Sequence, residues 1–163
     1  MSAKRLDTRR SRSATFLLDE NIYSETLAVR LRETPGWTVE IHPDHLERST
    51  PDDVVARFCG DKGWGLITSD EMRFTPSTKI EIVRGNVRVF KVCGRKVTHY
   101  TEIVAALVIA QPRMLEIMHK NRLAISAHIH ANGDVRIATT FNDVIPPNLT
   151  PSQLRTFRKF GRA

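Results

Sequence analysis

Cysteine is scarce. Cys59 and Cys93 are the only two in 163 residues, and neither a CxxC pair nor a CxxC…H spacing exists, so the chain has no zinc or redox motif and its thiols read as reduced. Long apolar runs are absent too: the longest, Ile103–Ala110 (IVAALVIA), is far short of the roughly 20 residues of a membrane-crossing helix. No GxxxxGK[ST] phosphate loop occurs, and Gly60–Gly65 (GDKGWG) follows a helical pattern instead of opening one, which removes dinucleotide binding. There is no internal repeat, and no low-complexity segment lies outside the two ends. The Arg- and Ser-rich start lacks the apolar stretch of a secretory signal and resembles an organelle transit peptide in composition alone. A cytoplasmic protein is the expectation.

What is present is charge, unevenly spread. The chain carries 25 Lys plus Arg against 18 Asp plus Glu, a formal +7. Residues 1–13 hold five basic side chains and one acid, and the last 14 residues hold four basic side chains and none, so each end contributes +4. The remaining stretch is close to neutral at −1. Basic ends on a neutral body either hold phosphates or aid solubility.

Between the ends, apolar periodicity alternates in type. Thr15–Asp19 (TFLLD) reads as a strand, and Ser24–Glu33 as a helix stopped by Pro35-Gly36. Trp37–His42 reads as a strand, Pro51–Lys62 as a helix and Gly65–Ser69 as a strand. A short helix around Pro76–Val83, a strand over Val87–Val92, a buried helix over Thr98–Ala110 and a separate helix from Pro112 follow. Strands separated by single helices predict right-handed crossovers and a parallel sheet covered on both faces, an α/β fold. Ala124–His130 and Val135–Thr140 then alternate in twos around Asn132-Gly133, the signal of a β-hairpin. Pro146-Pro147 ends regular structure before a basic tail or short helix.

In such sheets, ligands gather beyond the C-terminal ends of the strands. The first strand ends in Asp19-Glu20-Asn21 and the third in Thr68-Ser69-Asp70-Glu71, and the helix between them opens Thr50-Pro51-Asp52-Asp53. With Pro51 at the first helical position, Thr50 is the expected cap and Asp53 falls where an acid completes a capping box, so capping does not account for Asp52. Carboxylates gathered on one rim repel unless a cation neutralises them, and hard oxygen ligands suit Mg²⁺ or Mn²⁺. Hydrolysis of a phosphodiester is the reaction class that Asp19, Asp52 and Asp70 imply. Glu20, Asn21, Asp53, Ser69 and Glu71 stand as supporting groups around the cation, and Arg73 and Lys79 as contacts to a phosphate backbone. His128 and His130, and His42 and His45 in the HPDH stretch, read as polar surface and loop histidines without a patterned third ligand.

FLLDEN at Phe16–Asn21, TPDD at Thr50–Asp53, GWGLITSDEMRF at Gly63–Phe74 and VRVFKV at Val87–Val92 together resemble the PIN-like nucleases, in the branch of VapC-type toxin ribonucleases. The resemblance spans about residues 14–140. It implies a three-layer fold with a mainly parallel sheet and a trailing hairpin, occupying 14–145 between basic tails at 1–13 and 146–163. It also implies RNA cleavage with Asp19, Asp52 and Asp70 as the Mg²⁺ or Mn²⁺ ligands, a cognate antitoxin that plugs the acidic rim, and a homodimer. Many such domains carry a fourth acid after the third strand; this chain has Met72 and Arg73 there, with Glu71 just before, so one ion or two is left open. A catalytically silent binding module of the same fold, and a receiver-like domain that phosphorylates Asp70, are the alternatives.

Overall fold

Among the residues that the computed structural model describes (13–69, 75–93, 100–120, 123–141, 150–152 and 155), six strands alternate with four α-helices. In chain order these are β1 (Ala14–Leu18), α1 (Glu25–Arg32), β2 (Trp37–Ile41), α2 (Asp52–Lys62), β3 (Gly65–Thr68), α3 (Pro76–Arg84), β4 (Arg88–Val92), α4 (Tyr100–Lys120), β5 (Ile125–Ile129) and β6 (Val135–Thr140). The sheet order is β2-β1-β3-β4-β5-β6; β1 to β5 are parallel, and β6 runs antiparallel to β5 beyond the Asn132-Gly133 turn. No described helix is long and apolar enough to cross a membrane.

Strand alternation divides the core in two. Phe16, Leu18, Val39, Ile41, Ile67, Phe90 and Val92 face α1 and α4, while Leu17, Leu66 and Val89 face α2 and α3. The result is a three-layer α/β arrangement. The first three crossovers share one hand: the chain moves outward from β1 to β2 with α1 on one face, then back across to β3 and β4 with α2 and α3 on the other. The fourth breaks this rule, since it continues in the same direction from β4 to β5 yet lays α4 on the α1 face, giving it the opposite hand to the uniform right-handed set expected from the sequence. The sequence of β5 supplies the reason. Its Ile125, Ala127 and Ile129 all point to the α1 side, while Ser126 and His128 occupy the other, so only the α1 side offers the apolar stripe of α4 a surface to cover.

The expected break at Pro112 does not occur. One helix of 21 residues runs through it, because Met114, Ile117 and Met118 continue the buried stripe set by Ala106, Leu107 and Ala110. Pro112 lies on the exposed side of the helix, as does Val108, the residue whose carbonyl loses its N–H partner. Helix α2 also starts one residue later than expected. Pro51 has an extended ψ of 147° and is itself the cap, so Asp52 and Asp53 are the first and second helical residues and no capping box forms. The Thr50 hydroxyl is turned backwards, donating to the Glu47 carbonyl at 2.6 Å. At the far end Gly63 takes the left-handed conformation (φ 69°) that closes the helix.

Helices α2 and α3 cross at two glycines: a Cβ on Gly60 would stand 2.7 Å from the Gly85 Cα. Beside this crossing, buried Glu81 accepts from Arg57 and Arg84, each at 3.1 Å. Gly60→Ala must push the two helices apart and is expected to cost about 1–3 kcal/mol, read as a lowered urea midpoint. Pro112→Ala restores the missing N–H in an exposed turn and is expected to raise the unfolding free energy by up to about 3 kcal/mol, read as a higher urea midpoint; a fall in stability would show that the helix needs the proline.

Candidate functional site

Strand register builds the site. Leu18 of β1 pairs with Ile41 of β2 on one side and with Ile67 of β3 on the other. One residue further on, the three strands therefore end in a row, His42, Asp19 and Thr68, and alternation turns all three side chains toward the α2 layer. The three are buried, at 1%, 6% and 1% exposure. The row spans the boundary between β1 and β3, where the chain reverses its direction across the sheet and where ligand crevices form in open α/β sheets.

Asp19 is held from every side but one. Its backbone N–H donates to the Ile67 carbonyl, and its own carbonyl accepts from Ile22 and Tyr23. Of its carboxylate oxygens, Oδ2 accepts from the Thr68 hydroxyl at 3.1 Å and from Asn21 Nδ2 at 3.2 Å, and Oδ1 accepts from the Glu20 N–H at 2.9 Å. A carboxylate has about four lone-pair positions, so one is left, on Oδ1. Asn21 clamps the β1 and β3 ends together: Nδ2 also donates to Thr68 Oγ1 at 3.1 Å, and Oδ1 accepts from the Ser69 N–H at 3.2 Å.

His42 stands against that remaining position. Its Nε2 lies 2.9 Å from the Glu47 carbonyl, an oxygen that can only accept, so Nε2 carries the proton. Nδ1 then faces Asp19 Oδ1 at 3.4 Å, and this contact does not close a hydrogen bond: Nδ1 is buried without a hydrogen-bond partner. The sequence placed His42 at the end of a strand, flanking a loop, without a ligand role, and the omission has a plain cause. The HPDH stretch shows no ligand spacing along the chain, and the contact arises between strands; only the pairing of β1 with β2 puts residue 42 beside residue 19.

Glu20 has a structural task. Its carboxylate accepts the Ser49 N–H at 3.1 and 3.0 Å, with Ser49 in the left-handed region (φ 61°), and so ties the loop that leads into α2 to the end of β1. Asp52 opens α2 beyond that anchored loop and is exposed; Asp53 is half-buried in the same first turn, one helical turn before Arg57. Lys79 lies half-buried in the first turn of α3, its N–H on the Thr75 carbonyl. Asp70, Glu71 and Arg73 lie outside the described residues. His45 bonds Glu40 at 2.8 Å and packs edge-on to Trp64, and His128 sits between Lys91 and Arg136 of the neighbouring strands.

A cleft of about 710 Å³ opens on the β2 side of this row, with His42 and Glu20 in its wall beside Tyr23, Asp44, Glu47 and Arg48. Asp19 does not line it; the imidazole stands between. On the other side Cys59 of α2 is buried, and desolvation, then the nearby Asp19 charge, push its thiol up to about 12, which keeps it protonated and unreactive.

In one respect these residues suit a divalent cation: an anionic oxygen with a free lone pair and an imidazole nitrogen with no partner lie side by side. Among the described residues, no group of three or more His, Cys, Asp and Glu side chains could hold a metal ion. The third sequence-predicted ligand, Asp70, follows Thr68 by two residues. No protein-family model, curated protein or solved structure matches the chain.

Removing the Thr68 hydroxyl tests the network. Thr68→Val keeps the shape but leaves Asp19 Oδ2 with Asn21 alone, and an expected loss of about 1–2 kcal/mol should appear in urea unfolding. An unchanged midpoint would mean that the hydroxyl does not hold the carboxylate.

Proposed function

We propose that the chain is a PIN-like, metal-dependent endoribonuclease, the toxin half of a toxin–antitoxin pair acting in the cytoplasm. The observation that carries this reading is the Asp19 carboxylate, buried at the β1/β3 reversal point and fixed by three donors with one lone pair to spare. A carboxylate kept this way is costly to bury unless something takes up its charge. In this reading Asp19, Asp52 and Asp70 hold Mg²⁺ or Mn²⁺. Such an ion, when bound, polarises a phosphoryl oxygen and supplies hydroxide near neutral pH.

The chain's own groups have separate tasks. Thr68, Asn21 and the Glu20 N–H hold Asp19 in one orientation. Glu20, through Ser49, holds the loop that delivers Asp52 to the rim. Arg73, Lys79 and the basic ends offset the repulsion between an acidic rim and a phosphate backbone. An antitoxin inserting a cation into that rim, and a homodimer, belong to the same reading.

A receiver-like domain shares the order 2-1-3-4-5 of doubly wound sheets. A uniform right-handed set of crossovers, however, puts the fourth helix with the second and third, whereas α4 lies with α1. The end of β5 brings His130, not a lysine.

With the full chain and a mixed RNA substrate, cleavage should require Mn²⁺ or Mg²⁺. Asp52→Asn, at an exposed helix start, should lower it by at least about 100-fold with an unchanged circular dichroism spectrum, and Asp19→Asn likewise. Cleavage that persists in both variants sinks the assignment. Labelling of Asp70 by acetyl phosphate, without RNA cleavage, would transfer the chain to the receiver-like class.

A further inference from the structure

The orphaned nitrogen of His42 needs an occupant. Its ring is 1% exposed, its Nε2 proton is committed to the Glu47 carbonyl, and Nδ1 has no hydrogen-bond partner. A buried polar atom in that state costs roughly 1–3 kcal/mol, and native structures seldom leave one. Asp19 Oδ1, the nearest charged atom at 3.4 Å, has its own unfilled lone pair. In a neutral ring these are two acceptors pressed together, an arrangement that repels unless a positive centre lies against both.

The separation suits a metal ion seated against both atoms. With bonds of about 2.1 Å, neighbouring ligand atoms stand about 3.0 Å apart in an octahedral shell and about 3.4 Å apart in a tetrahedral one. The second contact of the ring also has the form that metal-bound histidines take, since the far nitrogen donates to a backbone carbonyl and thereby fixes the tautomer and the ring plane.

We propose that His42 is a metal ligand: its Nδ1 and Asp19 Oδ1 take adjacent positions on one divalent cation, adding an imidazole nitrogen to the carboxylates assigned above. This rests on the metal-centred reading and extends it, because an all-oxygen set suits Mg²⁺, whereas a nitrogen donor moves the preference toward Mn²⁺ and the later transition metals. His42 also borders the cleft, beside Glu20.

Mn²⁺ alone is the probe. Electron spin-echo modulation of Mn²⁺ bound to the full chain should show coupling to a ¹⁴N nucleus, converted to the ¹⁵N pattern when the protein is grown with [¹⁵N]histidine. His42→Gln retains a donor for the Glu47 carbonyl and removes Nδ1; it should abolish the coupling and weaken Mn²⁺ binding at least about 10-fold. His45→Gln, on the exposed rim, should leave the coupling intact, which keeps the assignment open to failure even if the His42 variant does not fold. Bound Mn²⁺ without histidine coupling, or coupling that survives His42→Gln or disappears in His45→Gln, overturns the role of His42 and leaves the nuclease reading standing. A full chain that binds no Mn²⁺ overturns both.

Discussion

The arrangement of the rim depends on one buried carboxylate. Asp19 ends the central strand of the three that meet at the reversal point, and its six hydrogen bonds, backbone and side chain together, reach β3 and the turn that joins β1 to α1. Burying a carboxylate is unfavourable unless donors surround it. That requirement explains Thr68 at the end of β3, Asn21 bridging to Ser69, and the tight turn that presents the Glu20 N–H. Glu20 then extends the same constraint to the loop entering α2.

The scaffold that makes this rim rigid is ordinary α/β packing with one departure. Leu18, Ile41 and Ile67 anchor the strand ends from below, on the face covered by α1 and α4. Because side chains alternate, the next residue of each strand must turn to the opposite layer, where α2 brings its acidic first turn. The reversed hand of the last crossover follows from which face of β5 is apolar. It also leaves the layer facing Asp19 to α2 and α3 alone, stitched by the glycine crossing and by Glu81 between Arg57 and Arg84.

Much of this was legible along the chain. The strand and helix periods of residues 14–92 are strong and local, and acids at strand ends point to a rim in any parallel sheet. Two local signals misled. Pro112 is a helix breaker by itself, yet a continuous buried stripe on both sides of it outweighed the loss of one hydrogen bond on a solvated face. Thr50 matches a helix cap, but its hydroxyl found the Glu47 carbonyl first, so the helix began one residue later. In both places a partner a few residues or a whole layer away outweighs the local preference of the residue.

The sequence by itself determined the alternation of elements, the near-neutral body between basic ends, and Asp19, Asn21 and Asp52 as rim residues, because each depends on periods of two or 3.6 residues or on composition. Tertiary structure alone decided the order of the strands, the face on which α4 lies, and the meeting of His42 with Asp19. Those depend on pairing between strands more than 20 residues apart, and only the register fixes which side chains share a row. A histidine with no motif around it thus became the unsatisfied group that stands against the buried carboxylate at the strand ends.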